Sequence, residues 1–309
     1  MIYLPASLRE RCGEKHERTE PMSNYLGPIY LTLAASIWGG VYVVSKVVLE
    51  VLPALELVWI RYLVALAALA GFGWWKGESW EIPRKSLPVV ALIGFVGYYI
   101  SIWAQFAGTH LSSAQMGSVI TAATPAFMVV FARILLNEPV TLKKAFSLCL
   151  ATAGVLCIVG TADFGDSSKL GGIILAGAAV SWALMSVLVK KIPTGTSLIA
   201  VTTYAILLAT IVITPMAVSE MRTEQLSVLT QPSILGGIFY MGTISTAGAF
   251  YFWNKGLQLM DAGNGGLYFF FQPLVGSLLG WLLLGEQVGL PFWIGSALIF
   301  SGVLLVIRE

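Results

Sequence analysis

Charge is what this sequence has least of. Only 11% of its 309 residues are Asp, Glu, Lys or Arg, against about a quarter in an ordinary soluble domain. Hydrophobic residues make up 57% and come in long blocks, and about 20 apolar residues suffice to cross a bilayer as a helix. That excludes a soluble globular domain and implies a polytopic membrane protein. Histidine is nearly missing too, with His16 and His110 the whole supply, which starves a histidine metal site or a nucleophile–base triad. The three cysteines, Cys12, Cys149 and Cys157, give neither a disulfide framework nor a paired metal-ligand spacing. No cofactor, no metal and no enzymatic activity are therefore expected. The net charge of +2 is too small to point to nucleic acid.

What is present is order. Ten helices are expected, at about 27–48, 53–75, 86–108, 112–136, 142–160, 170–191, 196–218, 234–256, 263–284 and 290–307, with Pro53, Pro88, Pro139, Pro193 and Pro291 near their ends. Residues 1–26 read as a basic cytosolic tail without the apolar stretch of a signal peptide, and Met22 is an alternative start. Fourteen Lys and Arg residues fall on the tails and the even-numbered connections, three (Lys46, Lys169, Arg222) on the other face, and Arg61 within a span. Basic residues stay inside, so both termini are expected to be cytoplasmic.

One phrase is written twice. TPAFMVVFARILLNE (Thr124–Glu138) and QPLVGSLLGWLLLGE (Gln272–Glu286) each put a polar residue before proline and end on glutamate. A shift of 148 also carries Gly94 onto Gly242, Gly108 onto Gly256 and Gly154 onto Gly302. Earlier in the chain a shift of 144 carries Trp38 onto Trp182 and Lys46 onto Lys190. The expected organisation is a five-helix repeat over 27–160, a periplasmic connection over 161–169, and a second repeat over 170–307. Five is odd, so the second copy enters the membrane from the opposite side. Inverted repeats let two halves exchange conformations around a midplane site, the mechanics of alternating access. A duplication kept only for packing is the plainer alternative.

SIWGGVYVVSK (Ser36–Lys46), PALELVWIRYLVALAAL (Pro53–Leu69) and the two proline-to-glutamate phrases resemble the drug/metabolite transporter superfamily, specifically its ten-helix exporters and among them the bacterial aromatic amino acid exporters. The resemblance covers essentially all of the chain after residue 25. It implies an all-α integral membrane protein of the bacterial inner membrane, with two inverted five-helix repeats around a central cavity and the fifth and tenth helices peripheral. Asn137 and Pro139 depart from the usual glycine–glutamate ending in the first half.

Candidate solute-binding residues follow from depth and chemistry. Trp38 and Trp182 are repeat-equivalent and near mid-span, Trp103 and Tyr251 are equivalent under the shift of 148, and Tyr42, Tyr99, Trp253 and Tyr268 add rings with polar handles. A single ring in a bundle more often fills volume than binds; as a set they suggest a cavity that stacks a flat apolar group. Thr121 and Gln272 offer polar side chains at the same depth. Pro125 and Pro273 would free the carbonyls of Thr121 and Phe269 and act as hinges, unless neighbouring hydroxyls satisfy them. Gly276 and Gly280 read as a small-residue packing pair. No carboxylate is expected at depth, Glu56 lying near a span end, and Arg61 is expected to pair with Glu56 or contact lipid. A neutral or zwitterionic solute remains, with amino acids, aromatic ones favoured, met by amides, hydroxyls and helix dipoles. Without an ionisable group on the path, facilitated export is expected. The expected partners are a small solute and the lipid bilayer. Transport of a sugar phosphate, nucleotide sugar or drug-like amine, or a non-transporting scaffold, are the competing readings.

Overall fold

A computed structural model describes residues 23–49, 51–111, 120–159, 166–221, 229–284 and 290–307. Among them every regular element is helical. Helix α1 is Ser23–Val48 and α2 is Ala54–Trp75. Helix α3 runs over 87–111, with Ile93–Ser101 wound as a π-helix. Then come α4 (Thr124–Leu136), α5 (Leu142–Val159), α6 (Asp166–Val189) and α7 (Leu198–Glu220). Helix α8 covers 232–259, with a π-helical Tyr240–Gly248, and α9 covers 262–284, with a 3₁₀ turn at Leu267–Phe270. Helix α10 is Leu290–Ile307. Seven helices among the described residues are long and apolar enough to cross a membrane, with shorter apolar helices at Thr124–Leu136 and Trp293–Leu305. Backbone groups in lipid must be satisfied within the segment, which leaves helices as the solution for such runs.

The packing exchanges the halves. Helix α1 lies on α8 and α9, and α6 lies on α3 and α4; α2 lies on the π-helical part of α8, and α7 on the π-helical part of α3. Helices α2 and α7 pack on each other, as do α5 and α10. Individual glycines repeat this correspondence. A Cβ on Gly256 would stand 2.6 Å from Leu31 and 3.1 Å from the Gly27 carbonyl, while one on Gly108 would stand 2.6 Å from Leu175 and 2.9 Å from the Gly171 carbonyl. Leu31 plus 144 is Leu175, and Gly27 plus 144 is Gly171, so the sequence shifts reappear as contacts. Gly154 meets the Gly295 carbonyl and Ile299, and Gly302 meets the Ser147 carbonyl and Ala151, again one spacing apart. Ser147 also donates to the Gly302 carbonyl. Helices in lipid gain nothing from burying apolar surface against each other, so close backbone approach at small residues carries the association.

The prolines differ from the continuous bent helices expected above. The chain turns at residues 122–123, and Pro125 opens α4 within its first turn. Pro273 follows the 3₁₀ turn in α9. A proline ring clashes with the carbonyl four residues back and lacks an N–H, and starting a new helical segment there removes both conflicts.

Candidate functional site

A cavity of about 190 Å³ lies between the halves. It follows α1 for three turns, from Trp38 through Val41 and Ser45 to Leu49. Opposite, α3 presents Ser101, Ile102, Gln105 and Phe106, and α6 presents Ala178, Ala179 and Trp182. Thr121 and Thr124 come from the broken start of α4, Phe269 and Gln272 from its counterpart in α9, and Ser245 and Phe250 from α8. Arg61 of α2 completes the wall.

Trp38 and Trp182 meet edge to face, ring centres 5.3 Å apart at 85°, the geometry their quadrupoles favour. Trp38 is clamped, its Nε1 donating to the Ser245 carbonyl at 2.9 Å and its ring backed by Trp253 and Phe269. The π-helical winding around Ser245 shifts carbonyls off the usual helical ladder, and a side-chain donor takes this one. Trp182 is not tied in that way. Its Nε1 and the Ser245 hydroxyl, both buried, have no hydrogen-bond partner. Buried polar atoms are normally satisfied; these two belong to residues of the cavity wall but are themselves covered.

Of the residues singled out from sequence, the cavity brings together Trp38, Thr121, Trp182 and Gln272. Trp253 is fully buried behind Trp38 and donates to Ser186 Oγ at 3.0 Å. Tyr268 is buried and stacks on Phe271; Tyr99 packs beside Phe95, and Tyr251 beside Phe252. Trp103 is 41% exposed and lines a second cavity with Pro53, Leu55 and Ile213. The side chain of Tyr42 lies outside the described residues. Glu56 lies in the first turn of α2, near a span end as expected, yet its side chain is wholly buried, and it is not among the residues lining either cavity. Arg61 is 4% exposed, faces no lipid, and donates from Nε to Thr246 Oγ1 at 2.9 Å. Thr246 in turn donates to the Met241 carbonyl at 2.6 Å. The signal for Arg61 was visible as a lone cation in a span; its direction needed the packing of α2 on α8. Asn254, also missed, ties the halves by donating to Tyr98 Oη at 3.0 Å, and within its own half it donates to Thr202 Oγ1 at 3.0 Å.

One end of the cavity is shut. Helix α4 ends on Asn137, whose φ of 57° is left-handed, a conformation asparagine tolerates nearly as glycine does. The turn aims the Glu138 carboxylate at the start of α9, where it accepts from the Ala262 and Gly263 N–H groups at 2.9 and 3.0 Å. Lys190 Nζ donates to the Leu257 and Met260 carbonyls at 3.3 and 2.6 Å. Each charge meets the helix end of opposite partial charge. Because Gly27 and Leu31 at the start of α1 contact Gly256, this closure sits at the α1 N-terminal end. The cavity runs the other way, toward Leu49.

Helices long enough for a bilayer, packed as interchangeable halves around a largely apolar hollow with a few polar side chains in its wall, define a multi-pass membrane protein built to hold a small solute. The chain belongs to the EamA-like transporter family, which matches residues 25–160 and again residues 169–308. A permease-like protein of Bacillus subtilis, YdzE, is 71% identical over 70 residues, 23% of this chain and 90% of that one. The transporter YetK of the same organism is 24% identical over 287 residues, 90% and 86% of the two chains. A Salmonella typhimurium protein named "Probable amino-acid metabolite efflux pump" is 25% identical over 283 residues, 88% and 91% of the two. A crystal structure covering 93% of this chain and 96% of its own superposes with a TM-score of 0.78 at 18% identity, a likeness of fold.

Proposed function

We propose that this protein exports amino acids, aromatic ones favoured, or similar neutral or zwitterionic metabolites across the bacterial inner membrane by alternating access, as facilitated diffusion. The observation that carries this reading is the meeting of the repeat-equivalent Trp38 and Trp182 in the cavity wall, with a free indole N–H beside it. The two rings pack on each other edge to face and present one aromatic surface in the wall for a flat side chain to lie against, and the Ser, Thr and Gln side chains of the wall offer handles for its backbone. The name of the Salmonella relative leans the same way. The domains are five-helix repeats over 27–160 and 170–307, inverted with respect to each other, with both termini cytoplasmic; Pro125 and Pro273 are the hinges.

In this reading the Glu138 and Lys190 contacts are the cytoplasmic gate, closed while the cavity faces outward. Lys46 and Glu286, their counterparts in the other half, are the residues to change for the opposite gate. Glu56 stays off the path, which keeps transport uncoupled. The test is purified protein in liposomes with labelled tryptophan and phenylalanine: saturable flux unaffected by an imposed pH gradient is expected. Absence of flux for a full amino acid panel would sink the export reading, and strong acceleration by the pH gradient would sink the uncoupled one. Cysteines placed at Ser79 and Val140 should label from one face of the bilayer and at Gln231 from the other, in a background lacking the native cysteines.

A further inference from the structure

We infer that Arg61 is the specificity-determining anchor for a carboxylate, so that the cavity recognises aromatic carboxylates as a class, with or without an amino group. The inference rests on the solute-carrier reading above and extends its substrates from zwitterionic amino acids to anionic aromatic acids. Arg61 is the one charged side chain among the described residues lining the cavity. Burying a cation inside a bilayer is costly, and such residues mark substrate paths when they face an interior hollow.

The repeat supplies an independent control. Gly94 packs against the Ala205 carbonyl, and its counterpart Gly242 packs against the Arg61 carbonyl. Arg61 plus 144 is Ala205, so the two occupy the same place in the two halves. The fold is satisfied there by a methyl group. A guanidinium in the first half alone is therefore unexplained by packing.

The geometry suits a planar anion. Thr246 takes the Nε donor and is itself fixed to Met241, which sets the plane of the guanidinium. The fork carries four further N–H donors, a match to a carboxylate that a lysine lacks. Trp182 and Trp38 supply ring faces, and the unpartnered Trp182 Nε1 and Ser245 Oγ lie in the same wall. No Asp or Glu lines the cavity among the described residues, so nothing matches the strength of this anchor for the ammonium end. Carboxylate recognition is thereby separated from amine recognition.

The experiment compares phenylalanine, 3-phenylpropionate and phenethylamine on wild type, R61Q and R61K. Ligand-induced thermal shift in detergent reads binding, and competition against phenylalanine flux in liposomes reads transport. For wild type, 3-phenylpropionate should bind and compete within about threefold of phenylalanine, while phenethylamine should be weaker by about tenfold or more, the scale of a charge-assisted hydrogen bond. R61Q, eluting as a monodisperse folded protein, should lose that preference, and R61K should recover part of it. A folded R61Q with unchanged preference, or wild type favouring phenethylamine, overturns the inference while leaving export standing. Carboxylate-selective binding without flux supports the inference and overturns export. Neither binding nor flux for all three compounds overturns both.

Discussion

The two halves of this molecule are nearly one design, and the places where they part are the instructive ones. Gly108 against Leu175 and Gly256 against Leu31 are one contact made twice. So are Gly154 on α10 and Gly302 on α5. Positions that match build the shell, because both copies must solve the same problem of bringing backbones together in lipid. Arg61 has Ala205 as its counterpart, and Thr246, which holds it, has Tyr98. Both members of that pair face the interior. Repetition at these glycines marks backbone contacts that both halves need, and its failure at Arg61 marks a side chain that packing alone does not require.

The largest effect should fall on the repeated contacts. Gly256→Leu drives a side chain into Leu31 and the Gly27 carbonyl, and Gly108→Leu does the same at Leu175 and Gly171. Each should cost about 3 kcal/mol or prevent folding, read as thermal unfolding in detergent. Similar losses preserve the equivalence of the halves, whereas one tolerant and one lethal variant breaks it. Next comes the closed end. Glu138→Ala removes two hydrogen bonds to a charged acceptor, about 1–3 kcal/mol of the closed state. Labelling of a cysteine at position 260 should rise and labelling at position 45 should fall; unchanged labelling at both removes the gate.

Trp182→Ala deletes a ring face and the free indole N–H and should weaken tryptophan binding by about three- to tenfold. Trp38→Phe keeps a ring but leaves the Ser245 carbonyl without its donor, so a smaller loss is expected. Trp103→Ala should change flux by less than about twofold, since Trp103 lines the other cavity. A Trp103 effect as large as that of Trp182 would move the solute into the Pro53 cavity.

Much of this was legible in the chain. The apolar blocks, the shifts of 144 and 148, and the pairing of Trp38 with Trp182 are periodic signals, and period survives without coordinates. Side-chain direction does not. Trp103 and Tyr251 are as well matched by the shift as the tryptophan pair, yet Trp103 turns outward to a second cavity and Tyr251 sits beside Phe252. A few tens of degrees of helix rotation separates wall from periphery, and apolar composition on every face conceals that rotation.

The proline-to-glutamate phrase is similar. Its duplication was plain, but its use was not. Glu138 had to be brought to residues 262 and 263, over a hundred positions away.

Sequence by itself determined that the chain enters a membrane, in two copies of one plan, because burying apolar length and repeating a pattern are properties of the linear order. Only the tertiary structure decided which polar groups share the hollow, since that depends on the rotation and winding of helices about their axes. Arg61 turned inward to Thr246, where the other half has Ala205, is the outcome no reading of the chain alone could fix.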